Sequence, residues 1–258
     1  MLLPREHGAY GQLLFPIGTA LALGGGSAPA FALALSCVSA FAAHESLLVL
    51  LGHRGARAAR EQRQPASVWL IGCGTLAAGA AAFGVVRMPI PARAWLLLPA
   101  TLSLVLVWFI FHGREHSTSG EMVAASALSS CSIPIALAGG VSAVPAVTCW
   151  LVFALAFVVA TIAVRSMIAR VRTARRSLPA PLAGGASAWL ASAVMALSVV
   201  GGAASWWPWA VPLALLPVCG IAAVLSLFPL HPRHLRPVGW SLVTATALTA
   251  VVLAVAFM

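Results

Sequence analysis

Pro4-Arg5-Glu6-His7-Gly8-Ala9-Tyr10-Gly11-Gln12-Leu13-Leu14-Phe15 places two charges and an imidazole directly before an apolar run. The trio returns as Arg114-Glu115-His116, ahead of a second apolar run starting near Met122. Two polar knots leading into two apolar segments, at matching places in two halves, imply a site built between those halves.

The rest of the chain explains why such knots stand out. It has 258 residues, of which 61% are hydrophobic and 8% charged, with a mean hydropathy of +1.00. That balance excludes a soluble globular domain and indicates an all-α, polytopic membrane protein. The 15 cations are all Arg and the 5 acids all Glu; the chain contains no Lys and no Asp. A net charge of +10 in a soluble protein would suggest nucleic acid. Here no nucleic-acid motif accompanies it, and the excess Arg is read as setting membrane topology.

Runs near the ~20 residues needed to cross the hydrocarbon core number nine. They fall at about 11–23, 30–52, 66–86, 94–112, 122–138, 147–170, 185–203, 209–228 and 238–257. The first is short. Pro134 is expected to kink the fifth, and Pro212 and Pro217 to loosen the eighth. Glu6-His7 and the continuing hydrophobic pattern favour a retained first helix over a cleaved signal peptide. The organisation expected is one membrane domain over 1–258, with pseudo-halves 1–112 and 113–228 and a ninth helix at 238–257.

Nine crossings alternate the loops between two sides. Of the 15 Arg, only Arg87 and Arg93 fall on one side, and the other thirteen share the side of the N-terminus. By the positive-inside rule that side is cytoplasmic and the C-terminus lies outside, in a bacterial inner membrane. Trp206, Trp207 and Trp209 then fall at the outer interface. Every Glu and His also sorts to the cytoplasmic half, which the rule for cations does not demand. This implies a polar cavity open to the cytoplasm and sealed outward by apolar packing.

Ionisable residues inside apolar segments are costly and tend to face a bundle interior. His44 and Glu45 sit within the second segment, and Glu45, Val49, His53 and Arg57 follow a spacing of four, which puts them on one helical face. Arg165 is the counterpart in the sixth segment, with Arg172 and Arg176 on its face; a structural ion pair or snorkelling is the plainer reading for it. Glu121 precedes the fifth segment, where a carboxylate suits the macrodipole. The candidate catalytic groups are Glu6, His7 and Glu45. The candidate ligand-binding set is Arg5, Tyr10, His44, His53, Arg54, Arg114, Glu115, His116, Glu121, Arg165 and Arg172. Cys37, Cys73, Cys131, Cys149 and Cys219 stand singly and read as packing residues. His231 and His234 have no acids nearby, so no metal site is assigned.

The motif Arg5-Glu6-His7-Gly8-Ala9, together with Ala43-His44-Glu45-Ser46-Leu47-Leu48 and Val164-Arg165-Ser166-Met167-Ile168-Ala169-Arg170, resembles the YwiC-like family of bacterial membrane proteins. The nine-helix layout more distantly resembles the UbiA superfamily of intramembrane prenyltransferases. Phe111 to Gly120, with Ile133-Pro134 and Ala138-Gly139-Gly140, looks like the corresponding segment of haem O synthases. The UbiA likeness implies a bundle of two four-helix halves plus a ninth helix, and a cytoplasmic-side site for an isoprenoid diphosphate held by Mg²⁺ on two Asp-rich motifs. This chain departs there. Its helix 2 position reads His44-Glu45 and His53-Arg54, its helix 6 position is basic, and no Asp restores either motif. Mg²⁺ is therefore not expected at a two-metal site, and no other cofactor is assigned.

Three functions stay open on the residues: a divergent, metal-poor transferase; a non-catalytic protein binding lipid, quinone or haem beside a respiratory complex; and a small-anion or proton-coupled transporter with Glu45 as the relay. The first is favoured, with Arg holding an anionic head and an apolar groove holding an isoprenoid tail. Membrane lipid is an expected partner, a quinone-like ligand an alternative.

Overall fold

The computed structural model describes residues 7–174, 185–227 and 235–258; of residues 7, 170–174 and 235 it describes the backbone alone. Eleven α-helices and one 3-10 segment make up the described chain: α1 His7–Leu23, α2 Ala28–Leu50, α3 Ala56–Glu61, α4 Arg63–Arg87, the 3-10 segment Ile90–Leu96, α5 Leu97–Phe111, α6 Thr118–Ser130, α7 Ser132–Ala138, α8 Ala143–Ala174, α9 Gly185–Ala203, α10 Ala210–Leu227 and α11 Leu235–Phe257. Eight spans are long and apolar enough to cross a membrane, and α1 is a shorter apolar helix. The protein is an all-α, multi-pass membrane protein.

Every expected apolar segment has its helix, and the differences are at the ends. The basic stretch after α2, expected as a loop, contains α3, and α4 starts at Arg63 rather than Ala66. The expected Pro-bounded turn before α5 is partly the 3-10 segment, with Pro91 in its first turn where a missing N–H is harmless. The fifth span is interrupted at Cys131, between α6 and α7. Pro134 accounts for that, because it can neither donate to the carbonyl of Ser130 nor avoid crowding it. Around the break, Ser129, Ser130 and Ser132 turn their hydroxyls back onto carbonyls of Ala125, Ala127 and Ser129 at 2.8, 2.7 and 2.7 Å. Helix α8 is longer at both ends than the expected 147–170. Helix α10 continues through Pro217. Arg175, Arg176, His231, Arg233 and His234, expected in loops, lie outside the described residues.

Helix α1 is central. It packs on α6, α7, α8 and α11 and touches α2. Around it, α8, α9, α10 and α11 share one apolar core with Phe153, Val159, Leu215, Val218 and Leu253 at its centre. Thr249 hands its hydroxyl hydrogen to Ala214 O at 2.6 Å, a buried bond between α11 and α10. A second core joins α1, α2, α7 and the 3-10 segment through Leu13, Ile17, Leu33, Met88 and Ile133. Helix α4 packs closely on α2, where Gly84 sits against Leu33, Ser36 donates to Ala77 O at 2.9 Å and the Trp69 indole donates to Ala42 O at 3.1 Å.

At the end of the molecule away from His7, two turns interlock. A Cβ on Gly24 would lie 2.9 Å from the Cα of Gly139, and one on Gly139 would lie 2.6 Å from the Cα of Gly24. Beside them Ser27 donates to Ala138 O at 2.9 Å. The α1–α2 and α7–α8 turns therefore touch backbone to backbone, as only small residues permit.

Candidate functional site

Five helix ends meet at the opposite pole: the start of α1, the end of α2, the end of α5, the start of α6 and the C-terminal part of α8. Two of them, α2 and α5, stop in the same way. After Leu50 the chain passes through Gly52 at φ 79°, and the His53 N–H reaches Leu48 O at 3.0 Å. After Phe111 it passes through Gly113 at φ 62°, and the Arg114 N–H reaches Phe109 O at 2.9 Å. Both are glycine C-caps with the bond from the second residue beyond the cap back five positions. Each throws a basic residue sideways, and the His53 and Phe111 rings meet edge-on with centroids 6.1 Å apart.

The turn after α2 corrects one expectation. His53 and Arg57 do not continue the helical face of Glu45, because the helix has ended and Gly52 and Gly55, at φ 79° and 96°, redirect the chain. Arg54 instead folds back over the helix end. Its Nε donates to Glu45 Oε1 at 2.9 Å and its Nη2 to Oε2 at 2.7 Å, a two-pronged pair. Glu45 is only 5% exposed, so the pair neutralises a carboxylate held out of water. Arg57 pairs with Glu61 along α3 in full exposure.

Next to Glu45, Ser46 is fully buried and its hydroxyl has no partner. A helical serine ordinarily bonds back to the carbonyl four residues earlier. That carbonyl belongs to Ala42 and already takes the Trp69 indole N–H. His44 is half-buried and has a partner of its own, as does Tyr10. Tyr10 also stands edge-on to Phe41, centroids 5.2 Å apart, which fixes the start of α1 against α2.

A second pair lies across α6 and α8. Arg165 Nε donates to Glu121 Oε2 at 2.7 Å, and its Nη2 donates to the carbonyl of His116. The guanidinium thus ties the second trio's turn to α8. Ser117 caps α6 by accepting from Gly120 N at 3.0 Å, and a Cβ on Gly120 would sit 2.4 Å from Arg114 O. Within the trio, His116 Nε2 approaches Glu115 Oε1 at 3.4 Å, while Glu115 Oε2 is buried without a partner. Arg114 is exposed and has no ion pair among the described residues.

Of the sequence-derived candidates, the structure joins Glu45 with Arg54, and Glu121, Arg165 and His116 with one another. His53 stands apart from Glu45. Arg5 and Glu6 lie outside the described residues, and of His7 and Arg172 only the helical backbone is described. Among the described residues no three His, Cys, Asp or Glu side chains group as a metal set. Phe41 and Trp69 were not singled out in sequence, and Ser46 and Phe111 entered only as parts of the motifs that carry the resemblance. Gly52 and Gly113, each closing an apolar run before a basic residue, were the available signal for Phe111.

The family described as YwiC-like protein matches residues 3–136. No curated protein and no solved structure matches the chain.

Proposed function

This chain belongs to the YwiC-like family, and from that premise we propose that it binds an anionic, isoprenoid-tailed lipid at a cytoplasm-facing polar site. The observation that carries the reading is the division of labour among three arginines at one pole. Arg54 and Arg165 are each committed to a carboxylate, and among the described residues Arg114 between them is not. A guanidinium fork free of a carboxylate is a good partner for phosphate oxygens. The two committed arginines hold the frame: Arg54 keeps the α2 turn closed, and Arg165 keeps the Arg114 turn against α8.

Binding is favoured over prenyl transfer. Ionising an allylic diphosphate calls for metal or several free cations. Of the carboxylates here, Glu45 and Glu121 are engaged by arginine, and the absence of any Asp from the chain removes the usual donors. The likeness to the UbiA superfamily is thus kept for architecture and lipid class. Haem is disfavoured because the His53 and His112 rings lie against Phe111 and Trp108 at the helix ends.

The test is retention of a polyprenyl phosphate by purified protein, followed by native mass spectrometry. The expected result is retention of the phosphate well above the uncharged polyprenol, with Arg114→Gln weakening it about tenfold, or ~1.4 kcal/mol. Equal retention of phosphate and alcohol would overturn the reading.

A further inference from the structure

The bundle is divided on the side of α4 and α5. Helix α4 packs on α2, and α5 packs on α6, but among the described residues neither α2 nor α4 packs against α5 or α6. The two pairs are joined at the non-polar end, where α7 packs on both α2 and the 3-10 segment, around Met88, Ala92 and Ile133. At the polar end they meet again through the His53 and Phe111 rings. Between these two closures nothing packs across from one pair to the other among the described residues, which leaves room for a cleft open sideways to the bilayer.

The walls are apolar and one face is identifiable. On α5, Leu98, Leu102, Leu106 and Ile110 are the less exposed stripe, as packing on α6 requires. Phe111 points the other way, to His53, and Val107 and Leu104 lie four and seven residues before it on that face. All three are exposed. The polar mouth is basic: it carries the unpaired Arg114, with His53 and His112 beside it and the α3 arginines beyond.

We infer that this cleft is the berth of the lipid tail: a membrane lipid with a phosphate head enters sideways between α4 and α5, lays its chain along Leu104, Val107 and Phe111, and brings its phosphate to Arg114. The inference rests on the binding proposed above and adds the route and the lining. It follows from two helix pairs that do not pack on each other, an exposed apolar face on α5 and a polar end that carries Arg114. Bulk acyl chains satisfy the walls, but a phosphate head alone also satisfies the mouth.

Leu104→Trp and Val107→Trp fill the cleft; Leu197→Trp, on the exposed face of α9, is the control. Two probes are used, a polyprenyl phosphate and the nearly tail-less dimethylallyl phosphate, each competed against a fluorescent polyprenyl phosphate. The cleft variants are expected to lose at least tenfold in affinity for the long probe and none for the short one, with Leu197→Trp unchanged. A polyprenyl phosphate with a diazirine on its tail serves where a variant folds poorly: in the unsubstituted protein it is expected to label peptides of α2, α4 or α5. Wild-type affinity in both cleft variants, or saturable labelling confined to α9 and α11, would overturn the cleft. If the unsubstituted protein holds the long probe in an Arg114-dependent way and the cleft variants do too, only the cleft is wrong. If it holds no polyprenyl phosphate at all, the binding function itself is wrong.

Discussion

Deleting the Arg54 guanidinium leaves Glu45 charged and buried with its two strong donors gone. Arg54→Ala is expected to destabilise the protein by roughly 3 kcal/mol, at the low end for a broken buried pair because Arg54 is itself partly exposed. Arg54→Lys restores the charge but not the fork and should recover only part of that loss. Thermal unfolding in detergent measures both, and a wild-type melting temperature for Arg54→Ala would contradict the burial of the pair. Ser46 behaves in the opposite sense. Its hydroxyl is buried and its usual acceptor is occupied by Trp69. Removing an unpaired buried hydroxyl relieves a desolvation cost, so Ser46→Ala should stabilise by about 1 kcal/mol. Neither pairing is legible along the chain. Arg165 and Glu121 are 44 positions apart, and Glu45 meets Arg54 only because the backbone reverses at a glycine between them.

At the scale of elements, those reversals are what a substitution would test. Gly52 and Gly113 sit at φ 79° and 62°, where a side chain costs about 1–2 kcal/mol. Gly113→Ala should therefore lower stability by that much and also move Arg114, weakening retention of the polyprenyl phosphate. Gly113→Asn, better tolerated in this conformation, should restore much of both. Gly120→Ala should be worse than either, because its Cβ meets backbone that cannot swing away; unfolding and lipid retention should fail together. The sequence shows such elements well where the signal is local. Hydropathy marks each span, and Pro134 marks the break at Cys131. It shows them poorly where the signal is tertiary. The α3 helix inside a basic stretch has no apolar face to announce it, and the expectation of a single face through Glu45, His53 and Arg57 assumed a helix that in fact ends at Leu50.

For the molecule as a whole, the arrangement across the membrane is the broadest claim still to be measured. With thirteen arginines proposed on one side, Gln62→Cys should react with a membrane-impermeant maleimide in inverted vesicles only, and Ala204→Cys in intact cells only. The five native cysteines are half-buried or buried, which keeps the background low. The reverse pattern would turn the molecule over and place the basic pole outside. The expectation of charge segregation comes from the sequence alone, because positive-inside sorting acts on loops whatever they later fold against. That Arg54 and Arg165 are engaged while Arg114 is not, among the described residues, was not legible, because it depends on which carboxylates the fold brings within reach.

The touching turns at Gly24 and Gly139 bear on how the proposed lipid would be admitted. Backbones in contact leave no slack to part and no side chain to swing aside. Room for such a lipid would then be made at the far pole, as tongs open at the tips and not at the rivet.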